Sequence, residues 1–388
     1  MMGEVVVLGW LTLELTNSPL LVGVAMGMRS LPLFFVGVPA GALADRVPRH
    51  RLLMATGAGQ AVTAATLGVL VLLGLVTLVH VLVLTLVAGI LRGVEHATRQ
   101  GYTHDVVGAA ALMKGFALLG VGMRGGWLVG SLGAGALIAH YGSGAAYLAV
   151  AAGYLAGAVA LLSVSAPPST TAPTQAVSLW RSVVEFFAAV RSDRAMLVLI
   201  ALTAGAEIFG FAHQVLLPSL ARDVLHTGPE GLGVLNAARS AGGILGLTAA
   251  AILGGAVPGG GALFLLVIGA FGVSLIALGA APSLVGLVGV VAVLTIANAA
   301  GALADLLAQS LLQLSVPPSL RGRAGGAWVV AIGLAPLGQL QIGALASLFG
   351  VSAALAASGL ALAALGVTAA LLFPRLRRLG VTPVSGPV

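Results

Sequence analysis

Long runs of apolar residues, interrupted by short polar or glycine- and proline-containing breaks, fill nearly all of this 388-residue chain. A transmembrane helix needs about 20 mainly apolar residues to cross a hydrocarbon core about 30 Å thick, and most of the runs reach that length. The pattern predicts an all-α, polytopic membrane protein with about twelve helices, at residues 5–15, 20–44, 52–76, 80–103, 110–139, 143–165, 195–218, 230–254, 261–280, 283–313, 323–349 and 351–373.

The composition indicates that this chain is embedded in a lipid bilayer. Charged residues make up 7% and hydrophobic residues 59% of it, whereas soluble domains carry about 25% charged residues. The net charge of +7 comes without a basic run that is interleaved with aromatic residues, so no nucleic-acid partner is expected. There is no cysteine, which excludes disulfides and cysteine-ligated metals. No metal or cofactor is predicted.

One longer break divides the predicted helices into two sets of six. Residues 166–175 are rich in proline, serine and threonine, and residues 177–190 alternate apolar and charged positions at helical spacing. This pattern is typical of an amphipathic helix on a membrane surface. The predicted organisation is an N-terminal bundle at 1–165, a cytoplasmic linker at 166–194, a C-terminal bundle at 195–378 and a cytoplasmic tail at 379–388.

The distribution of basic residues predicts the orientation of the helices. If the loop around residues 46–51 is cytoplasmic, alternation puts thirteen basic residues in the cytoplasm and one, Arg222, outside. Lysine and arginine concentrate on the cytoplasmic side of membrane proteins. Both termini are therefore expected in the cytoplasm, and the location is expected to be the cell (inner) membrane.

The two sets of helices repeat each other at a constant offset of 210 residues. Pro19, Gly23 and Arg29 correspond to Pro229, Gly233 and Arg239, and Glu95 corresponds to Asp305. A single offset that holds across several helices indicates two bundles related by a parallel repeat.

The repeat also indicates that predicted helix 1 is short. Its counterpart begins near Met196, so the offset would place a full-length helix 1 about fourteen residues before Met1. The predicted 5–15 segment covers about 16 Å, roughly half of the hydrocarbon core. We expect either a natural start upstream of Met1 or a damaged protein, which mass spectrometry of the native N-terminus would distinguish.

The loop between predicted helices 2 and 3 reads Gly41-Ala-Leu-Ala-Asp-Arg-Val-Pro-Arg-His-Arg. It resembles the corresponding loop of the major facilitator superfamily of secondary transporters. The segments that begin at Leu15, Leu216 and Val316 resemble its bacterial exporter branch, which includes enterobactin-type siderophore exporters and macrolide or multidrug efflux proteins. The resemblance implies the major facilitator fold and a transporter that acts as a monomer.

The resemblance also implies a conformational latch. In the superfamily, the loop aspartate, here Asp45, is thought to hold the cytoplasmic side shut in the outward-facing state. The latch would include Arg46, Arg49 and Arg99, with Asp45 facing the start of predicted helix 11 near residues 323–325. A helix N-terminus and a guanidinium both stabilise a carboxylate. In the second half, Gly255 occupies the position of the aspartate, so a single latch is expected.

Ionisable groups inside the predicted helices are candidates for function, because burying them in a bilayer is costly. By resemblance, helices 1, 4, 7 and 10 line the central cavity, and these helices carry Arg92, Glu95, Glu207 and Asp305. Glu207 and Arg92 fall near the midplane. Glu207 is favoured as the group that exchanges protons or binds a cationic substrate, with Arg92 as its modulator.

Structural interpretations of the same charges stay open. Arg92 and Glu95 lie three residues apart, where two opposite charges can neutralise each other on one helix face. Glu95 and Asp305 occupy repeated positions, which also suits a role in helix packing. Arg29 and Arg239 repeat as well, and are expected to tie helices together at the domain interface.

The sequence thus predicts a proton-coupled exporter of amphipathic small molecules, with protons and the lipid bilayer as its other partners. An importer or uniporter on the same fold is one alternative, and a degenerate membrane protein that does not transport is another. An enzyme is not expected. The chain has neither a Gly-x-x-x-x-Gly-Lys nucleotide loop nor a His-Glu-x-x-His metal site.

Overall fold

The computed structural model describes residues 2–44, 47–164, 194–253, 260–314, 328 and 330–377. The regular structure of these residues is helical, without a strand among them. The helices are α1 Met2–Thr16, α2 Pro19–Ala44, α3 Arg49–Leu72, α4 Leu78–Leu162, α5 Arg194–Gly205, α6 Leu217–Ser219, α7 Gly228–Leu253, α8 Gly260–Leu314, α9 Ala335–Phe349, α10 Val351–Leu372 and α11 Pro374–Arg377. An all-helical architecture is confirmed.

Helices α4 and α8 are long because consecutive spans join with a single non-helical residue between them. In α4 the breaks are Gly108 (φ 70°, ψ 168°) and Gly142 (φ 79°, ψ 169°), at positive φ values that glycine adopts without steric cost. They fall where the sequence predicted the ends of helices 4 and 5. In α8 the break is Gly286, four residues after Pro282, whereas the sequence predicted the break at residues 281–282.

Seven helices in the described part of the chain are long and apolar enough to cross a membrane. Two of them, Leu118–Leu162 with 45 residues and Gly260–Gln313 with 54 residues, are long enough for two crossings each. Helix α1 has 15 residues, or about 22 Å, and begins three residues before the predicted start. Large aliphatic side chains cover much of the surface, such as Ile252 at 80% and Val288 at 82% exposure, as expected for contact with lipid.

The chain forms two compact units. The first contains residues 2–164 and 227–236, and the second contains residues 194–226 and 237–377. In the first unit, α1 lies in the core, with Val7 and Leu13 fully buried, and it packs against α2 and α4. In the second unit, α8 packs against α10, and Phe264, Phe271 and Leu275 lie at the centre. The predicted amphipathic linker helix lies outside the described residues.

The helix that carries Glu207 is irregular. After α5 the chain forms a π-helical turn, Ala206–Gly210, and then a 3₁₀ helix, Phe211–Leu216. A second π-helical turn, Leu220–Val224, follows α6. The π-turns in helices concentrate at functional sites, because the changed hydrogen-bond register frees backbone carbonyls and reorients side chains.

Candidate functional site: polar groups inside the two halves

A buried ion pair joins α1 to α2 in the first unit. Nη2 of Arg29 lies 3.1 Å from Oε2 of Glu4, and the two side chains are 9% and 12% exposed. The hydroxyl of Tyr154, on α4, donates a hydrogen bond of 2.5 Å to the same carboxylate oxygen. Three helices therefore meet at one carboxylate, and removal of any member would leave a buried polar group without its partner.

Arg92 lies close to this ion pair but outside it. A side chain at Gly89, one turn before Arg92, would stand 2.7 Å from the backbone carbonyl of Arg29, so α2 and α4 are in close contact there. Nη1 of Arg92 is buried and makes no hydrogen bond within the part of the chain that the structure describes. One donor of the Arg92 guanidinium is thus left without an acceptor among the described residues.

Glu95 has two other partners. Its Oε1 accepts a hydrogen bond of 2.6 Å from Nη1 of Arg99, and its Oε2 accepts one of 2.9 Å from Nε2 of Gln60. Each carboxylate oxygen therefore has a hydrogen-bond partner other than Arg92. Glu95 instead connects α3 with α4 and holds Arg99, one of the predicted latch residues.

Of the other predicted latch residues, Arg49 is described and Asp45 and Arg46 lie outside the described residues, as do residues 323–325. Nη1 of Arg49, at the start of α3, lies 2.9 Å from both carboxylate oxygens of Asp105 on α4. Beside this pair, Nδ1 of His50 lies 3.2 Å from the hydroxyl of Tyr102. Two polar contacts thus hold the start of α3 against the part of α4 just before its break at Gly108.

Arg239 in the second unit makes the contact that corresponds to that of Arg29. Its Nη2 donates a hydrogen bond of 2.8 Å to Oε1 of Gln214. Gln214 lies 210 residues after Glu4, as Arg239 does after Arg29. Each arginine therefore ties the first helix of its own half to the second, with a carboxylate partner in one half and an amide partner in the other.

Glu207 and Asp305 line one small cavity of the second unit, together with Thr203, Phe211 and Phe264. Oδ1 of Asp305 accepts a hydrogen bond of 3.2 Å from Nε1 of Trp328. Glu207 makes no hydrogen bond or ion pair to any of the described residues. Two carboxylates on different helices thus line the same cavity.

His213 stabilises the irregular helix beside that cavity. Its Nδ1–H donates to the carbonyl oxygen of Gly210 at 2.7 Å, and its Nε2 lies 3.3 Å from Nδ2 of Asn298, which donates to it. Because both ring nitrogens are satisfied in the neutral tautomer, His213 suits a structural role. A side chain at Gly210 would stand 2.5 Å from Cε1 of Phe271, so only glycine permits this packing.

The structure thus brings Glu207 together with Asp305, and Glu95 together with Arg99, as members of two separate clusters. The site residues predicted from the sequence do not include Glu4, Tyr154, Asp105 or Asn298. The 210-residue repeat contained a signal for Glu4. Arg29 and Arg239 each follow a polar residue by 25 positions, Glu4 in one half and Gln214 in the other.

The comparisons with known proteins agree with this architecture. The family model described as "Transmembrane secretion effector", a major facilitator family, matches residues 1–382. The chain belongs to this family. It is also 26% identical over 373 residues to the enterobactin exporter EntS of Shigella boydii serotype 4 (strain Sb227), with 95% of this chain and 87% of that protein covered. The chain is therefore a membrane transporter of the major facilitator type.

Solved transporter structures share its fold. The nucleoside transporter NupG superimposes with a TM-score of 0.72 at 13% identity, covering 96% of this chain and 98% of that one. The inward-open xylose transporter XylE from E. coli superimposes with a TM-score of 0.70 at 13% identity, covering 96% and 93%. The major facilitator fold inferred from the Asp45 loop and the repeat is confirmed.

Proposed function

We propose that this chain is a proton-coupled exporter of amphipathic small molecules, drug-like or siderophore-like, that works by alternating access. It acts as a monomer in the cell inner membrane with both termini in the cytoplasm. The single observation that supports export is the likeness to an enterobactin exporter over 95% of the chain. The excess of arginine on one side of the predicted helices supports the orientation.

Glu207 and Asp305 support proton coupling. They lie on different helices of the second unit and line the same cavity. A carboxylate can bind and release a proton, and this cavity has two of them. Glu207 is the proton-exchanging group in this proposal, because it makes no hydrogen bond or ion pair to the described residues and lies in a π-helical turn. Glu95, held by Arg99 and Gln60, has a structural role.

Compound accumulation in efflux-deficient bacteria tests the export proposal. Cells that express the full chain are compared with cells that carry an empty vector, for a panel of dyes, macrolides and siderophores, with and without a protonophore. We expect lower accumulation of at least one compound, and we expect the protonophore to reverse it. Unchanged accumulation across the panel, with the protein verified in the membrane, would contradict export and favour an importer or a protein that does not transport.

The latch proposed for Asp45 gives a second expected result. Asp45→Asn removes the negative charge that helix N-termini and guanidinium groups stabilise, so we expect a large loss of efflux at unchanged expression. Asp223→Asn is a control, since Asp223 is 42% exposed and pairs with its sequence neighbour Arg222. Full efflux by the Asp45→Asn variant would contradict a latch, and a scaffold that does not transport would tolerate both changes.

A further inference from the structure

Among the described residues, Arg92 is a partly buried cation without a counter-ion at hydrogen-bonding distance. Its Nη1 is enclosed by protein and has no hydrogen-bond partner among the described residues. The charged or ionisable groups that act on it are Arg29, Glu4, Tyr154 and Glu95. An unpaired charge inside a protein is unfavourable by several kcal/mol, so a side chain kept in that state is a candidate for binding a ligand.

The carboxylates nearest to Arg92 each form an ion pair with another arginine. Glu4 is paired with Arg29 and accepts the Tyr154 hydroxyl. Glu95 has both oxygens occupied by Arg99 and Gln60. Each nearby carboxylate therefore already has a cation of its own, and one positive charge, that of Arg92, is left over in this part of the first unit.

The depth of Arg92 in its helix excludes a lipid headgroup as the missing anion. Arg92 lies 14 residues after Leu78 and 16 residues before Gly108, the ends of the candidate span. At about 1.5 Å per residue it is more than 20 Å from each end. Lipid phosphates lie outside the hydrocarbon core, about 15 Å from its centre, so the anion has to arrive along the transport path.

We propose that Arg92 binds an acidic group, a carboxylate or phenolate, of the exported compound. A guanidinium presents parallel N–H donors that match the two oxygens of a carboxylate, and such a contact is strongest where water is excluded. The Glu4–Arg29 ion pair holds α1 and α2 against α4 and leaves Arg92 as the available donor. This inference rests on the proposed export function and specifies its substrate class as organic acids.

Ligand-induced thermal stabilisation of the purified protein tests the inference without any transport step. The probes are benzoate, salicylate and 1-naphthoate, each compared at equal ionic strength with its neutral amide. We expect at least one acid to raise the Tm of the wild-type protein by about 3 °C more than its amide does. We expect this difference to be lost in Arg92→Gln and retained in the control Arg222→Gln. Arg222 pairs with Asp223 and is not part of the buried network around Arg92.

The ligand-free protein provides a second readout. Arg92→Leu removes a charge whose buried Nη1 has no hydrogen-bond partner among the described residues, so its Tm stays equal to that of the wild type or rises. Arg29→Leu leaves Glu4 buried without its cation, so its Tm falls. An equal fall in both variants would overturn the inference, because it would reveal a structural partner of Arg92. Equal responses to acid and amide in the wild type, or acid preference that survives in Arg92→Gln, would overturn it as well.

The two proposals can fail separately. Efflux of neutral compounds in the accumulation assay, together with no acid preference in the binding assay, would refute organic acids as the substrate class and leave export standing. Binding of an acid that depends on Arg92, together with no efflux of any compound, would refute export and leave the anion site standing.

Discussion

Replacement of Glu207 by glutamine is expected to abolish proton-driven efflux while the protein remains folded in the membrane. Glutamine has nearly the same shape as glutamate but does not bind or release a proton, so the step that couples transport to the proton gradient is lost. Glu207 makes no hydrogen bond or ion pair to the described residues, so little stability should be lost with its charge. The measurement is efflux from energised cells, with and without a protonophore.

Two further variants separate this effect from a general loss of carboxylates. Asp305→Asn keeps an oxygen for the Trp328 indole N–H but changes the charge beside Glu207, so we expect weakened coupling rather than its complete loss. Glu230→Gln changes a carboxylate that is 60% exposed and should leave efflux unchanged. Efflux by the Glu207→Gln variant that still collapses on addition of the protonophore would refute the assignment of Glu207.

Removal of the Glu4 carboxylate is expected to cause the largest loss of stability. Glu4→Ala leaves the guanidinium of Arg29 buried without its partner at 3.1 Å. The guanidinium of Arg92, a second positive charge, acts on it there. Breaking a buried ion pair by removing one partner costs about 3–5 kcal/mol. The measurement is the free energy of unfolding of the purified protein, with Glu230→Ala as the exposed control, for which we expect a change within about 0.5 kcal/mol.

The second half of the chain suggests a milder variant for the same test. Glu4→Gln reproduces the amide–guanidinium contact that Gln214 makes with Arg239, so it should lose less stability than Glu4→Ala. The double variant Glu4→Ala, Arg29→Ala removes both charges and should be more stable than Glu4→Ala alone. If Glu4→Ala unfolds with the same free energy as the exposed control, the ion pair does not hold α1 and α2 together.

The positions of the helices could be predicted closely from the hydrophobic pattern. The predicted helix at 20–44 is observed as Pro19–Ala44, and the one at 351–373 as Val351–Leu372. This agreement has a physical reason, since a bilayer imposes both the length and the apolar character of a spanning helix. The sequence predicted this break at residues 281–282, which is too early, because a proline does not by itself end a helix. The helix is interrupted at Gly286, where φ is 60°.

The irregular helix around Glu207 could not be predicted in the same way. Its π-helical and 3₁₀ turns depend on contacts between distant residues, such as the approach of Gly210 to Phe271 and the hydrogen bond of Asn298 to His213. A periodic hydrophobic pattern describes only the neighbours along one helix. It therefore predicts that residues 195–218 form a helix, but not how the helix deviates from regularity.

The candidate site was predicted in part. The cost of burying charge in a bilayer identified Glu207, Asp305 and Arg92 from the sequence, and the structure places the first two at one cavity. The partners of the arginines were not identified. Glu4 stands at the edge of an apolar run, where an acidic residue is usually solvated. Its burial depends on Arg29 and Tyr154, which the fold brings to it from two other helices.

The most direct test of a proton-coupled exporter uses the purified protein in liposomes, with a compound that the accumulation assay has identified. A pH gradient is imposed while valinomycin and potassium hold the membrane potential at zero, and the movement of compound and of protons is recorded together. For an uncharged compound that exchanges with one proton, we predict uphill transport to about tenfold per pH unit, together with a matching proton flux that the Glu207→Gln variant lacks. Equilibration of the compound without accumulation, and without proton movement, would contradict the account and identify a uniporter.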